Sequence, residues 1–116
     1  MNARYSGGEV LLASLVFTGQ DGTKKRPVLV VRDGGDDDLL VLPVTSQAVR
    51  SSWDIMLTDW RQAGLRLPSL VRTEKLATIA KRTVILELGK ISANDRSRLR
   101  NELPKLFQSI LAGWPS

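Results

Sequence analysis

The residues best suited to chemistry are three cations at the entrance of a predicted strand. Lys24, Lys25 and Arg26 precede Pro27, and the apolar, largely β-branched run 28–31 follows. Proline has a fixed φ and disfavours helical geometry at the residue before it, so we expect an extended backbone at Arg26. The guanidinium of Arg26 should therefore project from a stiff strand entrance.

Two hydroxyl side chains follow the next apolar run. Residues 39–42 read as a strand, and Pro43 and Val44 then lead to Thr45 and Ser46. Arginine binds phosphate through two parallel hydrogen bonds. An arginine that faces these hydroxyls predicts a site for handling phosphate, although hydroxyls after a strand also commonly cap a turn.

The charge of the chain is unevenly distributed. The net charge of the 116 residues is +5, although four acidic residues share one short loop at positions 33 and 36–38. Cations cluster at 24–26 and again between residues 96 and 105. Clustered positive charge favours nucleic acid as a partner, whereas solubility alone needs only scattered lysines.

The composition also restricts the chemistry. The chain has 0 His and 0 Cys, so the usual ligands of transition metals and the usual acid–base group near neutral pH are missing. We therefore expect no metal and no cofactor, and catalysis by Arg, Lys, Asp, Glu, Tyr, Ser or Thr. The lack of cysteine and of a long apolar run predicts a cytoplasmic protein that does not contact membranes.

Periodicity predicts several short strands. We expect strands at residues 10–16, 27–32, 39–43, 53–57 and 84–88. Residues 59–65 should form one helical turn closed by Gly64, and residues 69–76 should be extended. Together with a C-terminal helix, this pattern predicts a mainly β chain with helical additions (α+β), folded as one domain over residues 1–116 around a small β-barrel.

The C-terminal segment predicts one amphipathic helix. Ser92, with Asp95 three residues later, marks its start as in a capping box. Pro104 should kink or divide the helix, because proline lacks the N–H that the helix needs. The apolar face comprises Leu99, Leu103, Leu106, Phe107, Ile110 and Leu111. The opposite face should be solvated, and it carries Arg96, Arg98, Arg100 and Lys105.

Several short motifs occur in an order that is typical of one family. They are residues 8–12 (GEVLL), 26–30 (RPVLV), 43–46 (PVTS), 64–65 (GL), 68–79 (PSLVRTEKLATI) and 88–92 (LGKIS). Each motif is weak alone, but their order and spacing extend over nearly the whole chain. The sequence resembles the MazF/PemK (Kid) toxins of type II toxin–antitoxin systems.

The resemblance implies a fold, an activity and partners. It implies an SH3-like barrel, a homodimer and a toxin that inhibits growth by sequence-specific, metal-independent cleavage of single-stranded RNA (an mRNA interferase). It also implies a cognate antitoxin, and operator DNA bound only by the toxin–antitoxin complex.

The matched motifs assign residues to the site. Arg26 and Thr45 match active-site positions of the family, and Arg72 and Glu74 match an Arg-x-Asp pair in which the carboxylate is here one methylene longer. The residues that we expect to bind RNA around them are Lys24, Lys25, Ser46, Ser69 and Lys75. The loop 18–23 also lacks the His or Glu that many relatives use there.

Metal-free cleavage of RNA through its 2′-oxygen leaves a 2′,3′-cyclic phosphate and a 5′-hydroxyl. Arg26 is the candidate for stabilising the phosphorane charge. Glu74 is the candidate base, because Glu9 is the one other acidic residue in the matched motifs. A plainer interpretation is that Arg72 and Glu74, two residues apart on one strand, form a surface ion pair.

Two other functions remain open from the sequence. A gyrase-poisoning toxin resembling CcdB would share the barrel without cleaving RNA. A catalytically silent SH3-like binding module would retain only the surface that meets the antitoxin. Cleavage of a long single-stranded RNA in EDTA would separate the nuclease from both.

Overall fold

The computed structural model describes residues 3–16 and 22–116, which form seven strands and one helix. The strands are β1 (Glu9–Val16), β2 (Thr23–Asp33), β3 (Asp38–Thr45), β4 (Asp54–Met56), β5 (Leu70–Arg72), β6 (Ala77–Ala80) and β7 (Val84–Lys90). Helix α1 (Ala93–Ala112) ends the fold, and 3₁₀ turns lie at Thr73–Lys75 and Lys81–Thr83. The predicted α+β class is confirmed.

All strand pairs are antiparallel. The order in the sheet is β4-β5-β3-β2-β1-β7, and β6 also pairs with β3. Within the part of the chain that the structure describes, no pairing joins β4 to β7, so the predicted barrel is not fully closed.

The outer edge of β3 is shared by two partners. Residues 38–41 pair with β6, and residues 44–45 pair with β5. The 3₁₀ turn Thr73–Lys75 joins those two partners along the same edge. This arrangement brings the start of β5, at Leu70, beside the end of β3, where Thr45 lies.

The sheet buries side chains on both faces. One face carries the cluster Val10, Leu29, Leu42, Val44, Leu57, Ala63, Val71, Ile91 and Leu99. The other face carries the cluster Leu11, Ala13, Val28, Val30, Leu39 and Val41. Consecutive side chains of a strand point to opposite faces, so a strand that is buried on both sides needs a continuous apolar run. Residues 28–31 are such a run.

Strand limits differ from the prediction where pairing overrides composition. β2 begins at Thr23 rather than at residue 27, because residues 23–26 pair with β1 in spite of their polar side chains. β6 was not predicted, and its small residues pair with β3. The prediction of an extended segment 69–76 is wrong beyond Arg72, because residues 73–75 turn as a 3₁₀ helix.

The predicted start of the helix is confirmed. Ser92 is the N-cap, and its hydroxyl accepts the backbone N–H of Asp95 at 3.1 Å. The Asp95 carboxylate is 1% exposed, and it accepts the backbone N–H groups of Thr58 and Asp59 at 2.9 Å each. Burial alone would raise the pKa of Asp95, but these two donors and Arg98 outweigh it and lower that pKa. Asp95 thus joins the helix to the segment after β4.

Helix α1 passes through Pro104 without being divided. Leu99 and Leu106 are buried, whereas Phe107, Ile110 and Leu111 are exposed, so the predicted apolar face is covered only in part. On the basic face that was predicted to be solvated, the Arg98 side chain is 40% exposed and also makes contacts within the protein. Its Nη1 donates to the carbonyl of Met56 at 2.7 Å and also pairs with Asp95.

The turn at residues 59–64 is seated directly on β7. The N–H of Ala63 donates to the carbonyl of Asp59 at 3.3 Å, which gives the predicted single helical turn. Gly64 has a φ of +82°, and a Cβ there would overlap the carbonyl of Leu88. A Cβ at Gly89 would lie 2.8 Å from the Ala63 carbonyl oxygen, so both glycines are needed for this approach.

Candidate functional site

Arg26 and Thr45 lie just beyond the same end of the ladder that joins β2 and β3. The ladder between β2 and β3 ends at the Val28–Pro43 pair. Arg26 and Thr45 are each two residues beyond that pair, so they share the face of the sheet on which Val28 and Pro43 lie. The sheet therefore brings the predicted arginine and hydroxyl together.

Arg72 belongs to the same face through the third strand of this group. Thr45 pairs with Leu70 across β3 and β5, and paired residues share a face. Arg72 lies two residues after Leu70 and returns to that face. Arg26, Thr45 and Arg72 therefore come from three adjacent strands and, by register, share one face of the sheet.

The cations around Arg26 divide between the two faces. Arg26 is exposed, pairs with Ala13 in the β1 ladder, and its Nη1 donates to the carbonyl of Lys25 at 3.1 Å. Lys24 and Lys25 are also exposed. Alternation along β2 places Lys24 with Arg26 and Lys25 on the opposite face. Lys24 is thus better placed than Lys25 to add charge beside Arg26.

The Thr45 hydroxyl caps the turn after β3, as the alternative interpretation of the sequence predicted. Its Oγ1 accepts the backbone N–H of Gln47 at 3.1 Å. Because Oγ1 accepts this bond, the hydroxyl proton of Thr45 can still be donated. Ser46 follows the strand and is exposed.

Arg72 is buried in an ion pair. Its Nη1 lies 2.5 Å from Oδ2 of Asp54, and the two side chains are 11% and 3% exposed. Its Nη2 donates to the carbonyl of Ala48 at 3.3 Å. Asp54 faces Arg72 directly in the β4–β5 ladder, so the backbone register sets this pair.

The predicted pairing of Arg72 with Glu74 on one strand face is wrong. Glu74 lies in the 3₁₀ turn, whose period of about three residues turns it away from the strand alternation. Its carboxylate accepts a hydrogen bond from the Ser51 hydroxyl instead. Glu74 is exposed, and it also lines an apolar cavity of about 240 Å³ with Leu76 and Phe107.

The segment 46–53 between β3 and β4 contains partners that the sequence did not reveal. The N–H of Arg50 donates to Asp54 Oδ2 at 2.9 Å, and Arg50 Nη2 donates to Gln47 Oε1 at 3.0 Å. The N–H of Trp53 donates to Ser51 Oγ at 2.9 Å. No local motif marks these residues, and Asp54 could have been found only from the register that sets it opposite Arg72.

Two other predicted RNA-binding residues differ in exposure. Lys75 is exposed in the 3₁₀ turn. Ser69 is buried, and its hydroxyl donates to the carbonyl of Leu67 at 2.8 Å. The prediction that Ser69 binds RNA is at odds with this burial, because its hydroxyl serves the preceding loop. Of the loop 18–23, residues 18–21 lie outside the described part of the chain.

Asp33, the first acidic residue of the acidic loop, is paired within the protein. Asp33 accepts the N–H groups of Tyr5 at 2.9 Å and Gly35 at 2.8 Å, and it pairs with Lys81 at 3.0 Å. These donors, the two backbone N–H groups first, lower the pKa of Asp33 to about 2. Within residues 3–16 and 22–116, no group of three or more acidic side chains is placed to hold a metal ion.

In the described part of the chain, no helix is both long enough and apolar enough to cross a membrane.

A comparison with curated protein sequences gave no match. The family model for the PemK-like, MazF-like toxin of type II toxin–antitoxin systems matches residues 6–107.

Several solved structures share the fold. The Mycobacterium tuberculosis toxin MazF-mt6 is 21% identical, with 86% of this chain and 96% of that chain covered and a TM-score of 0.70. The MazE–MazF structure (Form-II) from Deinococcus radiodurans is 18% identical, with coverage of 92% and 98% and a TM-score of 0.73.

A third similar structure is an endoribonuclease in complex with its cognate antitoxin, from a mycobacterial species. It is 15% identical, with 97% of this chain and 100% of that chain covered and a TM-score of 0.69. At such identities these structures establish the fold, and the family model establishes the relationship. The chain belongs to the PemK-like, MazF-like toxins of type II toxin–antitoxin systems.

Proposed function

We propose that this toxin is a metal-independent, sequence-specific endoribonuclease that cleaves single-stranded RNA and so inhibits growth. The observation that carries the proposal is the convergence of Arg26, Thr45 and Arg72 on one face of three adjacent strands. Family membership supports it, as does the description of two similar structures as endoribonucleases.

The reaction needs no group beyond the RNA and these side chains. The 2′-oxygen attacks the adjacent phosphorus, and the bond from phosphorus to the 5′-oxygen breaks. The proton leaves the 2′-hydroxyl for a base, and the departing 5′-oxygen receives one proton. The products are a 2′,3′-cyclic phosphate and a 5′-hydroxyl.

The cations stabilise the charge that develops on phosphorus. Arg26 is exposed and can reach a bound phosphate, and Arg72 supplies a second guanidinium from β5, on the other side of β3. Positive groups that are already in place act on the transition state without reorganising. Thr45 donates one neutral hydrogen bond to the same phosphate.

Glu74 is the proposed base. It is an exposed carboxylate, so it can meet a 2′-hydroxyl without disturbing the core. Its hydrogen bond from Ser51 Oγ must be shared or exchanged when it accepts the proton. Asp54 is a poor alternative, because its side chain is 3% exposed and is engaged by Arg72.

The exposed cations of the same region extend the surface for RNA. Lys24, Lys25 and Lys75 are exposed, and Ser46 lies next to Thr45. Lysines add affinity through the phosphate backbone, which makes binding sensitive to salt. The recognised sequence must then be read by contacts to the bases.

The partners follow from the family and its complexes. Similar structures include a MazE–MazF structure and an endoribonuclease with its cognate antitoxin. We propose that this toxin acts in the cytoplasm as a homodimer, and that a cognate antitoxin neutralises it. An acidic antitoxin segment would complement the net charge of +5, and operator DNA would be bound only by the joint complex.

The test is cleavage of a long single-stranded RNA in EDTA, with the 5′ ends mapped. We expect discrete cuts at a short recurring sequence, and we expect Arg26→Ala to abolish them. Gyrase-dependent damage to DNA without RNA cleavage would support a CcdB-like poison and contradict the proposal. If the protein shows neither activity, the binding module is the remaining interpretation.

A further inference from the structure

Arg72 can serve the phosphate only if its long side chain is held in one place. An arginine side chain has many rotamers, and ordering it costs conformational entropy. Removing the charge from its partner would also leave a buried, uncompensated cation. The side chain of Arg72 is 11% exposed, so a residue other than the substrate must fix it before RNA arrives.

Asp54 meets this requirement through both its charge and its position. Its Oδ2 lies 2.5 Å from Arg72 Nη1, and its side chain is 3% exposed. The two residues are opposite each other in the β4–β5 ladder, so the strand pairing sets their distance. A carboxylate this enclosed is not available to an RNA 2′-hydroxyl, and it acts through Arg72.

The same carboxylate oxygen also fixes the segment after Thr45. Oδ2 of Asp54 accepts the backbone N–H of Arg50 at 2.9 Å, and Arg72 Nη2 donates to the carbonyl of Ala48 at 3.3 Å. The N–H of Gln47 in turn donates to Thr45 Oγ1 at 3.1 Å. One ion pair is therefore connected to the hydroxyl at the end of β3 through a short chain of hydrogen bonds.

We propose that Asp54 is a positioning residue of the RNA-cleaving site, which fixes the Arg72 guanidinium and the segment 46–53 beside Thr45. This inference rests on the proposed function. The guanidinium has five N–H groups, and two are used by Asp54 and Ala48, so the same fork keeps donors for a phosphate. Asp54 thus determines the position of the Arg72 guanidinium in the site.

Asp54→Asn tests the proposal, because it keeps the shape of the side chain and removes its charge. We expect kcat to fall by roughly 10²-fold, as is typical when a catalytic group is misplaced by about 1 Å. KM should change by no more than about threefold, because an interaction used in the transition state is lost rather than uniform binding. Asp37→Asn is the matched control, since Asp37 is exposed in the turn between β2 and β3.

A double-mutant cycle tests whether Asp54 acts through Arg72. Arg72→Lys keeps the charge but loses the planar fork. If Asp54 acts through Arg72, adding Asp54→Asn to Arg72→Lys should cost much less than it costs the wild type, because the two effects are not additive. Losses that multiply would mean that Asp54 acts independently of Arg72.

Each outcome decides a different question. Suppose that the wild-type protein cleaves RNA. If Asp54→Asn then has the wild-type kcat, or if the losses multiply in the cycle, the proposed role of Asp54 is wrong and the nuclease assignment stands. Wild-type protein that leaves RNA whole overturns both. If Asp54→Asn does not fold, the ¹⁵N spectrum of the wild-type guanidinium decides. Distinct, slowly exchanging Nη signals of Arg72 support the proposal, and a freely rotating guanidinium contradicts it.

Discussion

Arg26 and Arg72 reach the same face by different means. Arg26 is exposed, and its backbone is held between Pro27 and the β1 ladder. Arg72 is buried, and its side chain is held by Asp54. We therefore expect loss of Arg72 to destabilise the fold more than loss of Arg26, because it leaves the buried carboxylate of Asp54 without its counter-ion.

Arg26→Ala should reduce the single-turnover rate of RNA cleavage by about 10²–10³-fold, because one preorganised donor to the transition state is removed. Thermal stability should stay near that of the wild type, since Arg26 is exposed. Arg32→Ala is the matched control, as another exposed arginine on β2. Equal rates for the two variants would remove Arg26 from the site.

Thr45→Ala should have a smaller effect. The hydroxyl contributes one neutral hydrogen bond, which is worth about 0.5–1.5 kcal/mol, so the rate should fall by roughly tenfold or less. The variant also loses the acceptor for the Gln47 N–H. The single-turnover rate measures the effect, and a loss as large as that of Arg26→Ala would give Thr45 a different role.

Glu74→Gln tests the proposed base. The amide cannot accept the proton, so the rate should fall by roughly 10²–10⁴-fold while RNA binding persists. Glu87→Gln is the control, because Glu87 is exposed on β7. A Glu74→Gln protein with the wild-type rate and a normal circular dichroism spectrum would show that Glu74 is not the base.

Local sequence was sufficient to select Arg26 and Thr45 as candidates, since a proline and an apolar run lie close to each of them. It was insufficient for Asp54. That residue meets Arg72 only because β4 and β5 pair in one register, 18 positions apart in the chain. Glu74 was misplaced for a similar reason, since no glycine or proline signals the 3₁₀ turn that contains it.

At the scale of elements, buried polar contacts connect the helix to the segments that pack against it. Asp95 ties the first turn of α1 to the segment after β4 through two backbone N–H groups. Helix capping at Ser92 was readable from sequence. The contact of Asp95 with residues 58 and 59 was not, because it depends on how the helix packs.

Asp95→Asn should lower the free energy of unfolding by about 1–3 kcal/mol, because an amide cannot accept both N–H groups as the carboxylate does. Calorimetry at pH 7 measures this loss. A carboxylate introduced next to the site by Asn94→Asp should not restore the lost stability, because residue 94 is exposed. Asp37→Asn serves as the control. An unchanged melting temperature for Asp95→Asn would show that the contact contributes nothing.

Acid should reveal the same contacts. The pKa values of Asp33 and Asp95 are lowered on folding, to about 2 for Asp33, from an ordinary value of 3.8. A lowered pKa stabilises the fold above the unfolded value and loses that effect as the pH falls through the folded value. Stability should therefore decline from about pH 4 downwards, and Asp95→Asn should flatten that decline.

At the scale of the whole molecule, exposed apolar side chains predict self-association. Phe107, Ile110 and Leu111 are exposed on α1, and Leu76 lies beside them at the 240 Å³ cavity. We expect a sedimentation mass of two chains at micromolar concentration, and we expect Phe107→Glu to shift it towards one chain. A wild-type mass of one chain would contradict the homodimer.

In the proposed reaction, one face of this sheet directs a 2′-oxygen of the RNA onto the adjacent phosphorus. Replacing the single ribose before a mapped cut by deoxyribose tests it directly, because the nucleophile is removed and the rest of the RNA is unchanged. We predict that cleavage stops at that position alone and that mass spectrometry of the unmodified product shows a 2′,3′-cyclic phosphate. Cleavage that persists at the deoxyribose, or a product with a 5′-phosphate, would contradict the account.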